Sequence, residues 1–225
     1  MHVLFRTLGQ QMGFQQIRGI LPESIDTYLN LAIPKTAEAF IKSNVLSITP
    51  DVRTPQYSKI SPINSIHTLY KTENISVSGL SDSNNNLSVV LQNAPMIYTN
   101  FEVKYNEDEN YYDARFIEPE RVSMTNKDYL NRASQEYPII TLFSGNTQNN
   151  ITIALFTGGV NNKVSELRVQ YIKMPATVVW NANVNSRVDC DLPEHLHKDV
   201  VELAVQLWMQ TLSLTSQQAR NENNN

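Results

Sequence analysis

The sequence predicts an α+β fold in which terminal helices pack together and a β-rich middle, a sandwich or small barrel, is inserted between them. Three observations predict it. Helical periodicity is confined to residues 21–43 and to a long stretch after Asp191. From Val45 to Lys173 the apolar segments are short, β-branched and punctuated by turn residues. The order is helices, then many strands, then a helix, without the strand–helix alternation of a parallel sheet. The boundaries read as residues 1–44 for an N-terminal arm and helices, 45–180 for the β-rich middle, and 181–225 for the C-terminal helix and a polar tail, forming one domain with an insertion.

Residues 1–20 carry Gly9, Gly13 and Gly19 among four glutamines. Glycine lowers helix propensity by about 1 kcal/mol each, so this segment is expected to be a partly irregular arm ordered by a partner surface. Leu21-Pro-Glu-Ser-Ile-Asp26 opens a helix with Pro in the first turn. Leu21, Ile25, Tyr28, Leu29 and Ala32 follow helical spacing, and Pro34 either splits the helix in two or kinks it. Strand candidates are 45–48, 66–71, 74–77, 87–92, 96–105, 111–117, 139–144, 151–157 and 163–173. Alternation is clearest in Phe101–Tyr105 and Leu167–Lys173. The polar runs 81–86, 106–110 and 157–162 read as hairpin loops, and 126–133 as a short helix.

The C-terminal helix is the most strongly marked element. Asp191 is placed to cap it, with Glu194 completing an acidic capping box and Pro193 in the first turn. Advancing about 100° per residue, Leu196, Val200, Leu203, Leu207 and Leu214 make one apolar stripe. Val201, Ala204, Val205, Trp208 and Leu212 make a second beside it. Packing on one surface needs a stripe of about 100°. The surplus leaves two readings open: a helix that touches both its own domain and a partner, or a deeply buried core helix.

The chain has 225 residues, 41% hydrophobic, with a net charge of −4 and 25 Asn against 7 Gly. Asn tolerates left-handed turns and stands in for the scarce glycine. The acidic balance and the lack of basic runs argue against a dedicated nucleic-acid binder. A single cysteine, Cys190, leaves no internal disulfide and no ordinary zinc site. No 18-residue apolar run is present, so no membrane partner is expected. The N-terminus lacks the apolar core of a signal peptide, so a cytoplasm-like site of assembly is expected.

Motifs that carry chemistry are weak. His195 and His197 sit at i,i+2 on a helix, which points them to different sides, whereas metal ligands want i,i+3 or i,i+4. The acidic loop Glu107-Asp-Glu109 with Asp113 lacks Ca²⁺-loop spacing. Gly158-Gly159 lacks the ending of a phosphate loop, and Glu118-Pro-Glu120 is an unspecific pair. No Gly-x-Ser-x-Gly elbow occurs. No catalytic residue, metal ligand or cofactor is therefore assigned, and the expectation is a non-enzymatic subunit of an assembly.

Two stretches then carry a resemblance. Val169-Gln-Tyr-Ile-Lys-Met-Pro175, followed after a spacer by Leu192-Pro-Glu-His-Leu-His-Lys-Asp-Val-Val-Glu-Leu-Ala-Val-Gln-Leu207, resembles the end of head-to-tail connector proteins of short-tailed bacteriophages. The N-terminal Phe5-Arg-Thr-Leu-Gly-Gln-Gln-Met-Gly-Phe-Gln-Gln-Ile-Arg-Gly-Ile-Leu-Pro-Glu-Ser-Ile-Asp26 resembles the ring or adaptor proteins of crAss-like phages. Together they cover about a third of the chain. The resemblance implies a homo-oligomeric ring, typically a dodecamer, in the neck of the virion. Such a ring docks beneath the portal protein, meets the next tail or ring protein, and lets genomic DNA pass without sequence recognition. It also implies that Phe5–Gly19 and Gln210–Asn225 are assembly arms. The interface residues expected are Phe5, Arg6, Phe14, Arg18, Val201, Val205, Trp208 and Leu212. The alternative is another tail component, such as a fibre or receptor-binding β module. That reading wants aromatic residues clustered on exposed loops, and only Tyr111-Tyr112 looks like such a pair.

Overall fold

The computed structural model describes residues 1–13, 17, 19–43, 66–77, 86–91, 93, 95–106, 108–144, 150–159, 164–181 and 183–222. The strand expected at 45–48 lies outside them. The fold is α+β, with four helices and two four-stranded sheets among the described residues. Two compact units divide the chain: residues 1–69 with 175–225, and residues 70–174. The terminal segments thus build one unit and the middle builds the other. The middle unit spans 70–174, where the sequence reading set the β-rich part at 45–180.

The terminal unit is built on three helices, α1 (His2–Gln11), α2 (Pro22–Ile41) and a long helix, here α4 (Glu194–Glu222). Helix α1 corrects the irregular arm expected for residues 1–20. Gly9 is not a break in it but a place of close approach: a Cβ there would lie 1.7 Å from Cδ1 of the fully buried Ile17. Helix α2 is one helix with Pro34 inside it, not two. Proline removes one i→i−4 hydrogen bond. The apolar face made by Ile25, Leu29, Ala32, Ile33, Ala37 and Ile41 runs through Pro34 and is buried on both sides of it. Burying each of the Ile and Leu side chains is worth about 1.5–3 kcal/mol, which offsets the lost bond.

Both apolar stripes of α4 contribute buried residues. Leu196 and Val200 of the first and Val201, Ala204, Val205 and Trp208 of the second are all buried. Trp208 is only 6% exposed and meets the Phe5 ring edge-on at 6.3 Å, so α1 covers it. Asp191 lies three residues before the helix, where its carboxylate accepts from the Ala176 N–H at 3.0 Å.

The middle unit is a β-sandwich. One sheet has the order β1 (Tyr70–Ser76), β8 (Val164–Lys173), β3 (Pro95–Tyr105), β4 (Tyr111–Asp113). The other has β2 (Asn86–Val90), β7 (Asn150–Phe156), β6 (Ile139–Ser144), β5 (Arg115–Phe116). Alternation puts Phe101, Val103 and Tyr105 of β3 and Leu167, Val169 and Tyr171 of β8 on the inner face, against Ile140 of β6 and Ile153 and Leu155 of β7.

The expected strand 111–117 changes sheets at Ala114. The Ala114 N–H still donates to Phe101 in the first sheet, whereas Arg115 and Ile117 donate to Pro138 and Ile140 in the second. Strand β5 pairs parallel with β6, so a crossover must join them. It consists of helix α3 (Pro119–Lys127) and the loop 128–138. The helix expected at 126–133 is therefore displaced toward the N-terminus, because Pro119 suits a first helical turn. Of the three expected hairpins, only 106–110 joins two paired strands, β3 and β4. The expected loops 81–86 and 157–162 fall largely outside the described residues, and the strands that precede and follow them, β1 and β2, and β7 and β8, lie in different sheets.

Candidate interaction surfaces

In the terminal unit, the extended segment 175–180 is sewn onto α2 by two residues one turn apart. Asn30 accepts from the Val178 N–H at 2.7 Å and donates to the Val178 carbonyl at 2.9 Å. Asp26 is buried and accepts from the Trp180 N–H at 2.7 Å, while its other oxygen meets His2 Nε2 at 2.7 Å. Spacing of i,i+4 puts both side chains on one helix face, so a single face of α2 serves as a template for an extended chain. Val179 and Val188 then exchange backbone hydrogen bonds at 3.1 and 3.0 Å. This returns the chain toward Cys190 and α4.

The returning segment and the start of α1 border an open cleft of about 520 Å³. Val3, Val178, Val179, Trp180, Val188 and Leu192 supply its apolar lining. Trp180 is partly exposed, with the Arg187 guanidinium 5.6 Å from its ring centre and the His2 ring at 6.5 Å. Asp189 and Glu194 add carboxylates. Cys190 also lines the cleft, and burial pushes its thiol up. That is the opposite of the lowered pKa that activates a nucleophile. His197 donates from Nε2 to the Leu192 carbonyl at 2.9 Å, and His195 meets the Phe40 ring edge-on at 6.2 Å. Among the described residues no three metal-ligating side chains converge.

The expected interface residues fall differently. Phe5, Val201, Val205 and Trp208 are buried inside the terminal unit, and Arg6 donates to the Ile20 carbonyl at 3.1 Å. The four buried residues belong to the framework of the unit, where Trp208 of the second stripe packs on Phe5 of α1, and Arg6 stays half-exposed. Leu212 is half-buried, and Phe14 and Arg18 lie outside the described residues.

The sandwich carries a surface the sequence reading missed. Phe116, Met124, Tyr129, Leu130 and Tyr137 are all exposed, Tyr129 at 77% and Leu130 at 87%. They lie on consecutive elements, β5, α3 and the loop 128–138. That loop is ordered by its own hydrogen bonds. Asp128 accepts from the Leu130 N–H at 3.1 Å and the Asn131 side chain at 2.6 Å, and these contacts hold its carboxyl below the usual carboxylate range. Arg115 donates to the Asn131 carbonyl at 2.8 Å and Tyr105 to the Gln135 carbonyl at 3.0 Å. The Arg132 guanidinium lies 4.8 Å from the Tyr129 ring centre. Gly158, at φ +70°, approaches so closely that a Cβ would stand 2.7 Å from the Ala133 carbonyl oxygen.

The pair expected to be exposed, Tyr111 and Tyr112, is half-buried. Tyr111 lies under the Arg168 guanidinium at 3.5 Å and donates to Glu166, and Tyr112 packs edge-on to Tyr105. Exposure of Tyr129 and Leu130 had a faint signal in sequence, an Asp-Tyr-Leu-Asn run in which Asp128 competes for the backbone.

No protein family matches the sequence, and no curated protein is similar to it.

Proposed function

We propose that this chain is a virion structural protein, the subunit of a head-to-tail connector ring of a short-tailed bacteriophage. In this reading copies assemble into a ring, a dodecamer by analogy, in the neck of the virion. The ring docks beneath the portal, extends the DNA channel and presents its far side to the next tail or ring protein. Genomic DNA passes without sequence recognition, and assembly takes place in the host cytoplasm. Neither catalysis nor a cofactor enters the role.

The observation that carries the reading is the surface of Phe116, Met124, Tyr129, Leu130 and Tyr137, a set of large side chains left in water on an ordered edge. Exposed apolar side chains of this size, where they adjoin, mark protein–protein contact. The resemblance of the terminal stretches supplies the kind of assembly. The net charge of −4 suits a channel along which DNA slides, since strong phosphate neutralisation would hold it.

A second reading, a fibre or receptor-binding module, is favoured by one observation: Tyr129 and Tyr137 are both exposed on a single ordered loop of a sandwich. Native mass measurement of the purified chain, alone and mixed with its portal, separates the two. A high-order ring, formed alone or templated by the portal, supports the connector. A trimer indifferent to the portal refutes it in favour of the fibre module.

A further inference from the structure

We infer that the free edge of β1 pairs with β1 of a second copy, antiparallel and centred on Thr72, joining two four-stranded sheets into one. The contact is two-fold and lies wholly on the sandwich. It goes beyond the ring reading and does not depend on it.

Strand β1 pairs with β8 alone and is the longest of the four sheet edges. Its seven residues run in unbroken register, with no bulge to twist the edge away and no proline to block it. The Val77 N–H donates to the Ser165 carbonyl at 2.9 Å. By alternation Lys71, Glu73 and Ile75 therefore exchange bonds with β8, and the backbone groups of Thr72, Asn74 and Ser76 point outward. Among the described residues none of these outward groups has a partner. Such a row is a template for another strand. Neighbouring side chains are drawn over β8, away from the edge: Tyr70 donates to Gln170, and Asn74 accepts from Arg168 at 3.3 Å.

The order of charges selects the occupant. Backbone bonds form only where outward residues face outward residues. For a second β1 this allows centres at Lys71, Thr72, Glu73 or Asn74. Centring on Lys71 or Glu73 sets like charges face to face. Centring on Asn74 sets Lys71 against Val77 and Glu73 against Ile75. Centring on Thr72 puts Lys71 of each copy opposite Glu73 of the other, twice. Opposite charges directly across are favourable and like charges unfavourable. These pairs fall at the non-hydrogen-bonded positions, where side chains stand closest. Glu73 is held in place because one of its oxygens accepts from the Tyr171 hydroxyl, which leaves the other for the lysine. About six backbone bonds close the contact. The strip is narrow, so affinity rests on these bonds rather than on apolar area, and the dimer belongs to the small, reversible class.

Sedimentation of the full-length chain across a concentration series should show a monomer–dimer equilibrium. Thr72→Pro removes an outward N–H and no bond to β8, and an edge strand tolerates proline. It should melt like the parent and abolish the dimer. Lys71→Glu replaces two opposite pairs by two like pairs and should weaken the dimer by about tenfold or more. Adding Glu73→Lys restores opposite pairs and should recover most of that loss. Disulfides fix the register without touching the Tyr171 bond. In a Cys190→Ser background, which removes the only native thiol, Thr72→Cys should oxidise to a covalent dimer, since its two Cα atoms stand about 5.5 Å apart across the two-fold. Asn74→Cys should not, its two copies lying on the order of 14 Å apart.

A parent that stays monomeric at every concentration overturns the contact, and so does a dimer indifferent to Thr72→Pro. Asn74→Cys oxidising as readily as Thr72→Cys overturns the register and with it the pairing of Lys71 with Glu73. A monomer that binds the portal through a step blocked by Thr72→Pro shows that the edge takes a foreign strand, and the inference fails. The dimer is measured without the portal, so its absence leaves the connector reading standing.

Discussion

Replacing Phe5 by alanine should unfold the terminal unit at much lower denaturant. Phe5 is wholly buried and its ring meets Trp208 edge-on at 6.3 Å. A buried Phe→Ala change typically costs about 3–5 kcal/mol, of which the lost aromatic pair is about 0.5–1.5 kcal/mol. With a urea slope of about 2 kcal/mol/M, a loss of about 4 kcal/mol moves the midpoint down by about 2 M. Both tryptophans of the chain, Trp180 and Trp208, lie in the terminal unit, so tryptophan emission follows that unit alone. Phe5→Leu, keeping most of the volume, should move the midpoint by only about 0.5 M. A shift below about 0.3 M for Phe5→Ala would refute the packing of α1 on α4 and return Phe5 to the role of a free arm.

Asp26→Ala strands the Trp180 N–H and should destabilise the terminal unit by about 1–3 kcal/mol, read by the same emission. Gly158→Ala places a Cβ against the Ala133 carbonyl at a positive φ. It should cost about 1–3 kcal/mol, seen as earlier loss of the near-ultraviolet tyrosine signal, with tryptophan emission unmoved. Burial raises Tyr98 and Tyr171 from 10 to about 12, with the Glu73 hydrogen bond adding to Tyr171, and it raises Tyr105 further. The folded sandwich therefore holds these protons after the unfolded chain has lost them. Its stability should be complete below pH 10 and fall as pH rises from 10 to 12, followed by tyrosinate absorbance against a melting series. A flat melting temperature across that window would remove these tyrosines from the core.

Much of the fold is legible in the residue pattern. Strands 96–105, 139–144, 151–157 and 163–173 are expected within a residue or two of their observed limits, because 101–105 and 167–173 alternate and 139–143 and 151–156 are short apolar, β-branched runs. The failures have physical causes. Glycine propensity argued against α1, but Gly9 makes room for Ile17, and tertiary packing outweighs about 1 kcal/mol of propensity. The double stripe of α4 is real, yet sequence does not say which neighbours cover it, and they are α1 and α2 of the same chain. Residues 111–117 read as one strand because a switch between sheets at Ala114 leaves the alternation almost intact. Tyr129, Leu130 and Tyr137 were missed as surface because an apolar residue in a short irregular segment reads equally well as core.

The nesting of residues 70–174 inside the terminal unit also sets an order of events during synthesis. Every strand of the sandwich is already on the chain when Met174 leaves the ribosome, so it can close while its host is incomplete. Helices α1 and α2 must wait for α4, because Trp208, the partner of Phe5, is made about 200 residues later; at about 5–20 residues per second that is an interval of roughly 10–40 s. During that interval the apolar faces of the first two helices lack the helix that packs on both of them. A chaperone that holds amphipathic helices would find its target there, and a truncated chain ending before residue 194 should expose it permanently.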